Sequence, residues 1–248
     1  SASSNEPTIR LADRLRRLIN VEANAPQISK VTFGLSGSDA NETQIKLVRY
    51  YNNVLGRPAK KKIISRKKGY HGVTIVSGSL TGLTYNHRDF DLPVDRILHT
   101  GTPHYWREGR DGESEADFTA RMAQELEDTI QREGADTIAG FFAEPVMGAG
   151  GVIPPSEGYF QAIVPILRRH GIPIISDEVI CGFGRTGNTW GCETYDFMPD
   201  AVISSKNLTA GFFPMGAVIL GPELSDRMQN AAEAIEEFPH GFTASGHP

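Results

Sequence analysis

Two short apolar runs, Ile174-Ile-Ser-Asp177 and Ala201-Val-Ile-Ser-Ser-Lys206, each end on an ionisable residue. Runs of this length and composition are buried strands, and a strand that ends this way delivers a functional group at its carboxyl end. Between them lies Cys181-Gly-Phe-Gly-Arg-Thr-Gly187, whose glycines suit a loop with positive φ or close backbone approach. Asp177 and Lys206 stand 29 positions apart, which fits a strand, a connection and a neighbouring strand. They are therefore candidates for one site. An acid and an amine meeting at a sheet edge have two readings. One is a structural ion pair; the other is a pyridine cofactor held at its ring nitrogen by the acid and covalently by the amine.

The rest of the chain supplies the frame. Val31-Thr-Phe-Gly34, Lys62-Ile-Ile-Ser65, Thr137 to Ala143 and Met215 to Leu220 read as further strands. Helical spacing of apolar residues marks 8–22, a segment from about Leu35, 114–133, 156–170 and a helix opening at Pro222. Met122 falls on an apolar stripe, as core filling. Alternating strands and helices predict an α/β fold with a mostly parallel, doubly wound sheet flanked by helices. Residues 73–112 read as loops and short helices near a site mouth or subunit contact.

Composition narrows the class. With 39% hydrophobic and 22% charged residues over 248 positions, the chain is an ordinary globular one with room for a large core. A net charge of −5 gives no general attraction to nucleic acid or an anionic membrane, and the basic run Arg57 to Lys68 reads as a solvated edge and strand entry. Cys181 and Cys192 are too few for a disulfide framework or a metal cluster. They suggest a reducing compartment, and with no leader or membrane-length apolar run, a cytoplasmic protein is expected.

Three further positions carry candidate chemistry. Leu35-Ser-Gly-Ser-Asp-Ala-Asn-Glu42 places a Ser-Gly-Ser turn at a helix start, where free N–H groups, hydroxyls and the helix dipole suit a phosphate. The same residues suit an N-cap, with Ser38 or Asp39 capping and Glu42 three residues on. Tyr70 within Gly69-Tyr-His-Gly72 offers a face for stacking or simply covers the core. His71 has no metal-ligand partners at useful spacing, which leaves it a supporting role. Glu144 ends an apolar strand and either reaches solvent or faces a site.

Asp177-Glu-Val-Ile-Cys-Gly-Phe-Gly-Arg-Thr-Gly187 and Ser204-Ser-Lys-Asn-Leu-Thr-Ala-Gly-Phe-Phe-Pro-Met-Gly-Ala-Val218 resemble the signature of class III aminotransferases, pyridoxal phosphate (PLP) enzymes of fold type I. Asn207 departs from the small residue usual there. Leu80 to Arg88 and His99 to Trp106 resemble the amine:pyruvate or ω-amino-acid:pyruvate branch.

The resemblance implies a Schiff base between Lys206 and PLP, with Lys206 as the base that moves a proton once displaced. It implies that Asp177 keeps the pyridine nitrogen protonated, a task for an ionised acid. Tyr70 and Val179 would pack on the two ring faces, Val179 being placed there by strand parity with Asp177. Gly37 and Ser38 would bind the phosphate, and Glu144 would serve the site's hydrogen-bond network. The final Phe238-Pro-His-Gly-Phe-Thr-Ala-Ser-Gly-His-Pro248 is similar to a family segment whose threonine reaches the partner subunit's phosphate. Thr243 would then make a homodimer with shared sites, although Ala244 stands where Tyr is usual.

The implied reaction moves an amino group from a primary amine or ω-amino acid to a keto acid such as pyruvate. An aminomutase, racemase or decarboxylase of the same fold, a non-catalytic phosphometabolite-binding domain and a structural homologue stand as alternatives. Residues 1–248 are expected to be an excised large domain, with 1–29 as a leading helix and connection. The smaller domain, which in this branch carries an arginine for substrate carboxylates, is expected to lie outside the chain.

Overall fold

The computed structural model describes residues 4–19, 30–232 and 239–247. Seven strands form one sheet: β1 (Lys30–Gly34), β2 (Lys62–Arg66), β3 (Ile97–Thr100), β4 (Ile138–Ala143), β5 (Ile174–Asp177), β6 (Ala201–Ser204) and β7 (Gly216–Leu220), in the order β1-β7-β6-β5-β4-β2-β3. Pairing is parallel from β6 through β3, whereas β7 runs antiparallel to both β6 and β1. The reason is the link. Residues 205–215 contain no full crossover helix, so the chain returns along β6 in the opposite direction.

Eight helices accompany the sheet among the described residues: α1 (Glu6–Ile19), α2 (Gly37–Val54), α3 (Ile75–Leu80), α4 (Tyr105–Glu108), α5 (Glu115–Glu133), α6 (Tyr159–Arg169), α7 (Gly191–Thr194) and α8 (Pro222–Ala232). Strand parity sorts the core into two layers. Ile64, Phe141, Ile174, Val202 and Ile219 pack with Leu15 of α1, Phe118 and Leu126 of α5 and Phe160 and Ile163 of α6. Their neighbours Ile63, Phe142, Ile175, Ile203 and Val218 face Ile45 and Val48 of α2 and Leu224 of α8. A sheet covered on both faces needs such continuous apolar runs, and each fully buried Ile or Phe stabilises the fold by about 1.5–3 kcal/mol.

The mostly parallel, doubly wound reading is borne out, with four local corrections. Ile97–Thr100 is an edge strand, not a loop. The first helix begins at Glu6 rather than at residue 8 and is described as far as Ile19, and 20–22 lie outside the described residues. The basic run is not wholly solvated: Arg66 is 1% exposed and Lys60 5%. Lys60 Nζ donates to Gly171 O at 2.9 Å, and the Arg66 guanidinium donates to Glu144 O while lying over the Tyr159 and Phe160 rings.

The fourth correction concerns the start of α2. Ser36, not Ser38 or Asp39, is the N-cap, with its Oγ accepting from Asp39 N at 3.2 Å. Glu42 caps a different helix, accepting from Val76 N at 2.9 Å and Ser77 N at 3.2 Å at the start of α3. Ser38 is thereby left free of the capping role. Ser36→Ala is expected to lower stability by about 1 kcal/mol, read as a fall in the denaturant midpoint with unchanged slope. Close approach fixes this corner: a Cβ at Gly216 would lie 2.1 Å from Ser36 O.

Candidate active site

Because β1 and β4 to β6 share one direction, their carboxyl ends fall on one edge of the sheet, and so does the N-terminus of α2. One cavity there is lined by Gly37, Ser38 and Asn41 of α2, Tyr70, His71 and Gly72 after β2, and Glu144 after β4. Asp177, Val179 and Ile180 from β5 and its exit, with Ser205 and Lys206 after β6, complete the wall. Seven of the eight sequence candidates line this cavity. Thr243 does not. It is exposed, and its segment docks elsewhere on the same chain, through His240 to Thr43 and Lys46 and through Gly246 O to Thr8.

Asp177 is the last residue of β5 and is 2% exposed. Its Oδ2 lies 2.7 Å from His71 Nδ1 and accepts from Asn41 Nδ2 at 3.0 Å, while Oδ1 accepts from Val179 N at 3.1 Å. The ion-pair reading of Asp177 with Lys206 is therefore replaced: the buried partner of Asp177 is His71. Lys206 is exposed, and its side chain forms no hydrogen bond or ion pair among the described residues.

Lys206 lies two residues beyond β6, not on it, at φ +43°. That left-handed backbone is uncommon for a residue with a side chain. It is held by neighbours, since Ser205 Oγ donates to Met215 O at 2.6 Å and the Asn207 amide oxygen accepts from Arg185 at 2.9 Å. Val179 reaches the cavity through a turn bonded to Asp177 Oδ1, not by the extended parity expected of it. It packs on Gly37, where a Cβ would lie 3.0 Å from Val179 Cγ2.

Glu144 is 2% exposed and accepts from Tyr70 N at 2.8 Å and Gly148 N at 2.9 Å. Burial raises its carboxyl pKa, opposed by His71 and reinforced by Asp177. It is the joint between the Tyr70 loop and the β4 exit.

Behind β5, Glu178 is fully buried and accepts from Gly191 N and Cys192 N, both at 2.8 Å, and from Ser176 Oγ at 3.1 Å. Burial lifts its pKa to about 7 against the pull of those donors. Because the folded value lies above the usual 4.5, its stabilising effect is complete below 4.5 and is lost as pH rises through about 7. Wild-type stability should fall relative to Glu178→Gln by on the order of 3 kcal/mol over that window, measured by urea unfolding at several pH values.

The cavity meets the requirements of PLP group by group. The first N–H groups of α2 have no intrahelical acceptor and, with Ser38 Oγ nearby, suit a phosphate. At Gly72 a Cβ would lie 2.6 Å from Ser38 Oγ, so this wall admits only glycine. Asp177 suits a pyridine nitrogen, and Lys206 supplies the one lysine amine on the wall. Sequence reasoning undervalued His71 and missed Asn41. The available signal for Asn41 was its spacing of four from Gly37, which puts both on one face of α2.

The family model described as Aminotransferase class-III matches residues 1–248. An ω-aminotransferase from Paracoccus denitrificans is 61% identical with a TM-score of 0.94, covering 99% of this chain and 54% of that one. The ω-transferase from Vibrio fluvialis JS17 is 63% identical with a TM-score of 0.93, covering 99% and 56%. Gamma aminobutyrate transaminase 3, chloroplastic, of Solanum lycopersicum is 51% identical over 245 residues, covering 99% of this chain and 46% of the relative. The chain thus spans about half the length of the relatives it matches. With the family model matched from end to end, the chain belongs to the class III aminotransferases.

Proposed function

We propose that the protein carrying this chain is a PLP-dependent transaminase, moving an amino group from a primary amine or ω-amino acid to a keto acid such as pyruvate. The observation that carries the reading is the convergence of Asp177, Lys206 and the α2 N-terminus on one cavity in a class III family member. Solved relatives support it: an ω-aminotransferase, an ω-transferase, and two aminotransferase structures from Vibrio fluvialis, one PLP-bound and one PMP-bound. When bound, PLP supplies an aldehyde carbon that accepts the amino group and a ring that takes up electrons.

This chain's residues do the rest. Gly37, Ser38 and the α2 dipole bind the phosphate. Asp177 would hold the ring nitrogen through its carboxylate. Tyr70 and Val179 would hold the ring from the cavity wall, and Glu144 fixes the Tyr70 loop by accepting from its N–H. Lys206 Nζ would hold the cofactor as the nucleophilic amine of the site and would also serve as the base that moves a proton.

A homodimer completes the site, with Thr243 contributing from the partner; the exposure of Thr243 on its own chain supports this. The chain acts as the large domain, with 1–29 leading into it and a smaller domain elsewhere in the protein. The free, buried Cys181 and Cys192 support a reducing compartment such as the cytoplasm. Among the described residues no helix is long and apolar enough to cross a membrane.

The test is amine-dependent conversion of pyruvate to alanine by the PLP-loaded protein. Donor-dependent alanine formation supports the reading. Substrate racemisation or decarboxylation without transfer contradicts it.

A further inference from the structure

Asn41 sits one turn into α2 from Gly37 and is 1% exposed. Its Nδ2 donates to Gly37 O at 3.1 Å and to Asp177 Oδ2 at 3.0 Å. The two acceptors fix the amide's orientation, since a flipped amide would set its oxygen against a carbonyl and a carboxylate. The consequence is a buried Oδ1 with no partner among the described residues. A buried acceptor left this way is unfavourable, so what the amide contributes is carried by its two donated bonds.

The hydrogen bonds of Asp177 show what the amide does. A carboxylate offers about four lone-pair positions, two on each oxygen. Oδ2 receives Asn41 Nδ2 and His71 Nδ1 and is filled, whereas Oδ1 receives only Val179 N. A further donor entering the cavity has one place to go, Oδ1. The same Asn41 amide also holds the carbonyl of Gly37, in the turn that suits an anion.

We propose that Asn41 is a positioning residue that sets the span between the anion-binding turn of α2 and the Asp177 carboxylate, and that it turns Oδ1 toward the ring nitrogen of PLP. The inference rests on the PLP reading above. It assigns Asn41 no contact with the reacting atoms.

The experiment uses the intact, PLP-loaded protein and the variants Asn41→Leu and Asn41→Asp. Three quantities are measured: the pH midpoint of the bound cofactor's visible absorbance, the dissociation constant for PLP, and the thermal midpoint without PLP. The other ionisable groups lining the cavity, Tyr70, His71, Glu144, Asp177 and Lys206, are unchanged in both variants.

In Asn41→Leu a poorly aimed Asp177 holds less positive charge at the ring nitrogen. Protonation at the other end of the conjugated system then becomes easier. The absorbance midpoint should rise by roughly one pH unit and the PLP dissociation constant by about tenfold. The PLP-free thermal midpoint should fall modestly, because Gly37 O and Asp177 Oδ2 each lose a donor, whereas a merely structural role would leave the absorbance midpoint unmoved.

In Asn41→Asp the introduced carboxyl can donate to Asp177 only while it holds a proton. PLP affinity should therefore weaken as pH rises through the range where the two carboxyls share one. This variant differs from the parent by one side-chain atom, so it decides the matter if the leucine variant does not fold. An absorbance midpoint and PLP affinity equal to the parent's in both variants would overturn the proposal. Failure of the unsubstituted protein to bind PLP at Lys206 would overturn the PLP reading itself, and with it this inference.

Discussion

Lys206→Ala is expected to abolish amine transfer while leaving the fold intact. Lys206 is the one lysine on the cavity wall and its amine has no protein partner among the described residues, so its removal leaves no group to attach the cofactor or carry the proton. Loss of the proton-transfer role alone lowers the rate by about 10²–10⁴-fold, and loss of attachment adds to it. Stability should change little, because the side chain is exposed and the left-handed backbone is held by Ser205 and Asn207. Lys206→Arg should be equally inactive, since it keeps the charge but not a nucleophilic amine. Steady-state alanine formation with thermal unfolding of both variants reads the two quantities separately.

Asp177→Asn should be the second most damaging change, and it should act on two quantities at once. The amide keeps the shape but removes the charge meant for the ring nitrogen. Turnover is expected to fall by about 10²–10³-fold, the scale of losing one aimed electrostatic group. Its NH₂ must also face one of three donors, His71 Nδ1, Asn41 Nδ2 or Val179 N, in a site where both ring and carboxylate are 1–2% exposed. That conflict should lower stability by about 3–5 kcal/mol, as breaking a buried pair does. Unfolding without PLP reads the second effect and kcat the first. A variant that loses stability but keeps kcat would assign Asp177 to the scaffold.

The strands that deliver Asp177 and Lys206 were legible because a fully buried parallel strand has few ways to be written. Ile174-Ile and Ala201-Val-Ile are apolar on both faces, and both faces of the sheet are covered. β3 was not legible for the opposite reason: Ile97-Leu-His-Thr100 is a four-residue edge strand with polar residues at its end. Charge type misled at Arg66, yet parity marked it. Ile64 faces one core layer, and two residues on, Arg66 must face the same side.

Within the site, the ends of strands could be read and the contacts between them could not. Asp177 and Lys206 were expected in one site and both line the cavity, but the contact that His71, 106 positions earlier in the chain, makes with the carboxylate could not be read. Asn41 carries no motif that separates it from a helix-surface amide. Only the fold brings it within 3.0 Å of Asp177. Ser36 was passed over as a cap because Ser38 and Asp39 have equal capping chemistry, and the choice rests on which residue has extended backbone, here Ser36 at φ −161°.

Borohydride reduction of the PLP-loaded protein, followed by intact mass and peptide mapping, tests the central claim most directly. One pyridoxyl group per chain, confined to Lys206 and absent from Lys206→Ala, is the result expected. A protein that binds PLP stoichiometrically but carries the reduced group on another lysine, or on none, would contradict it.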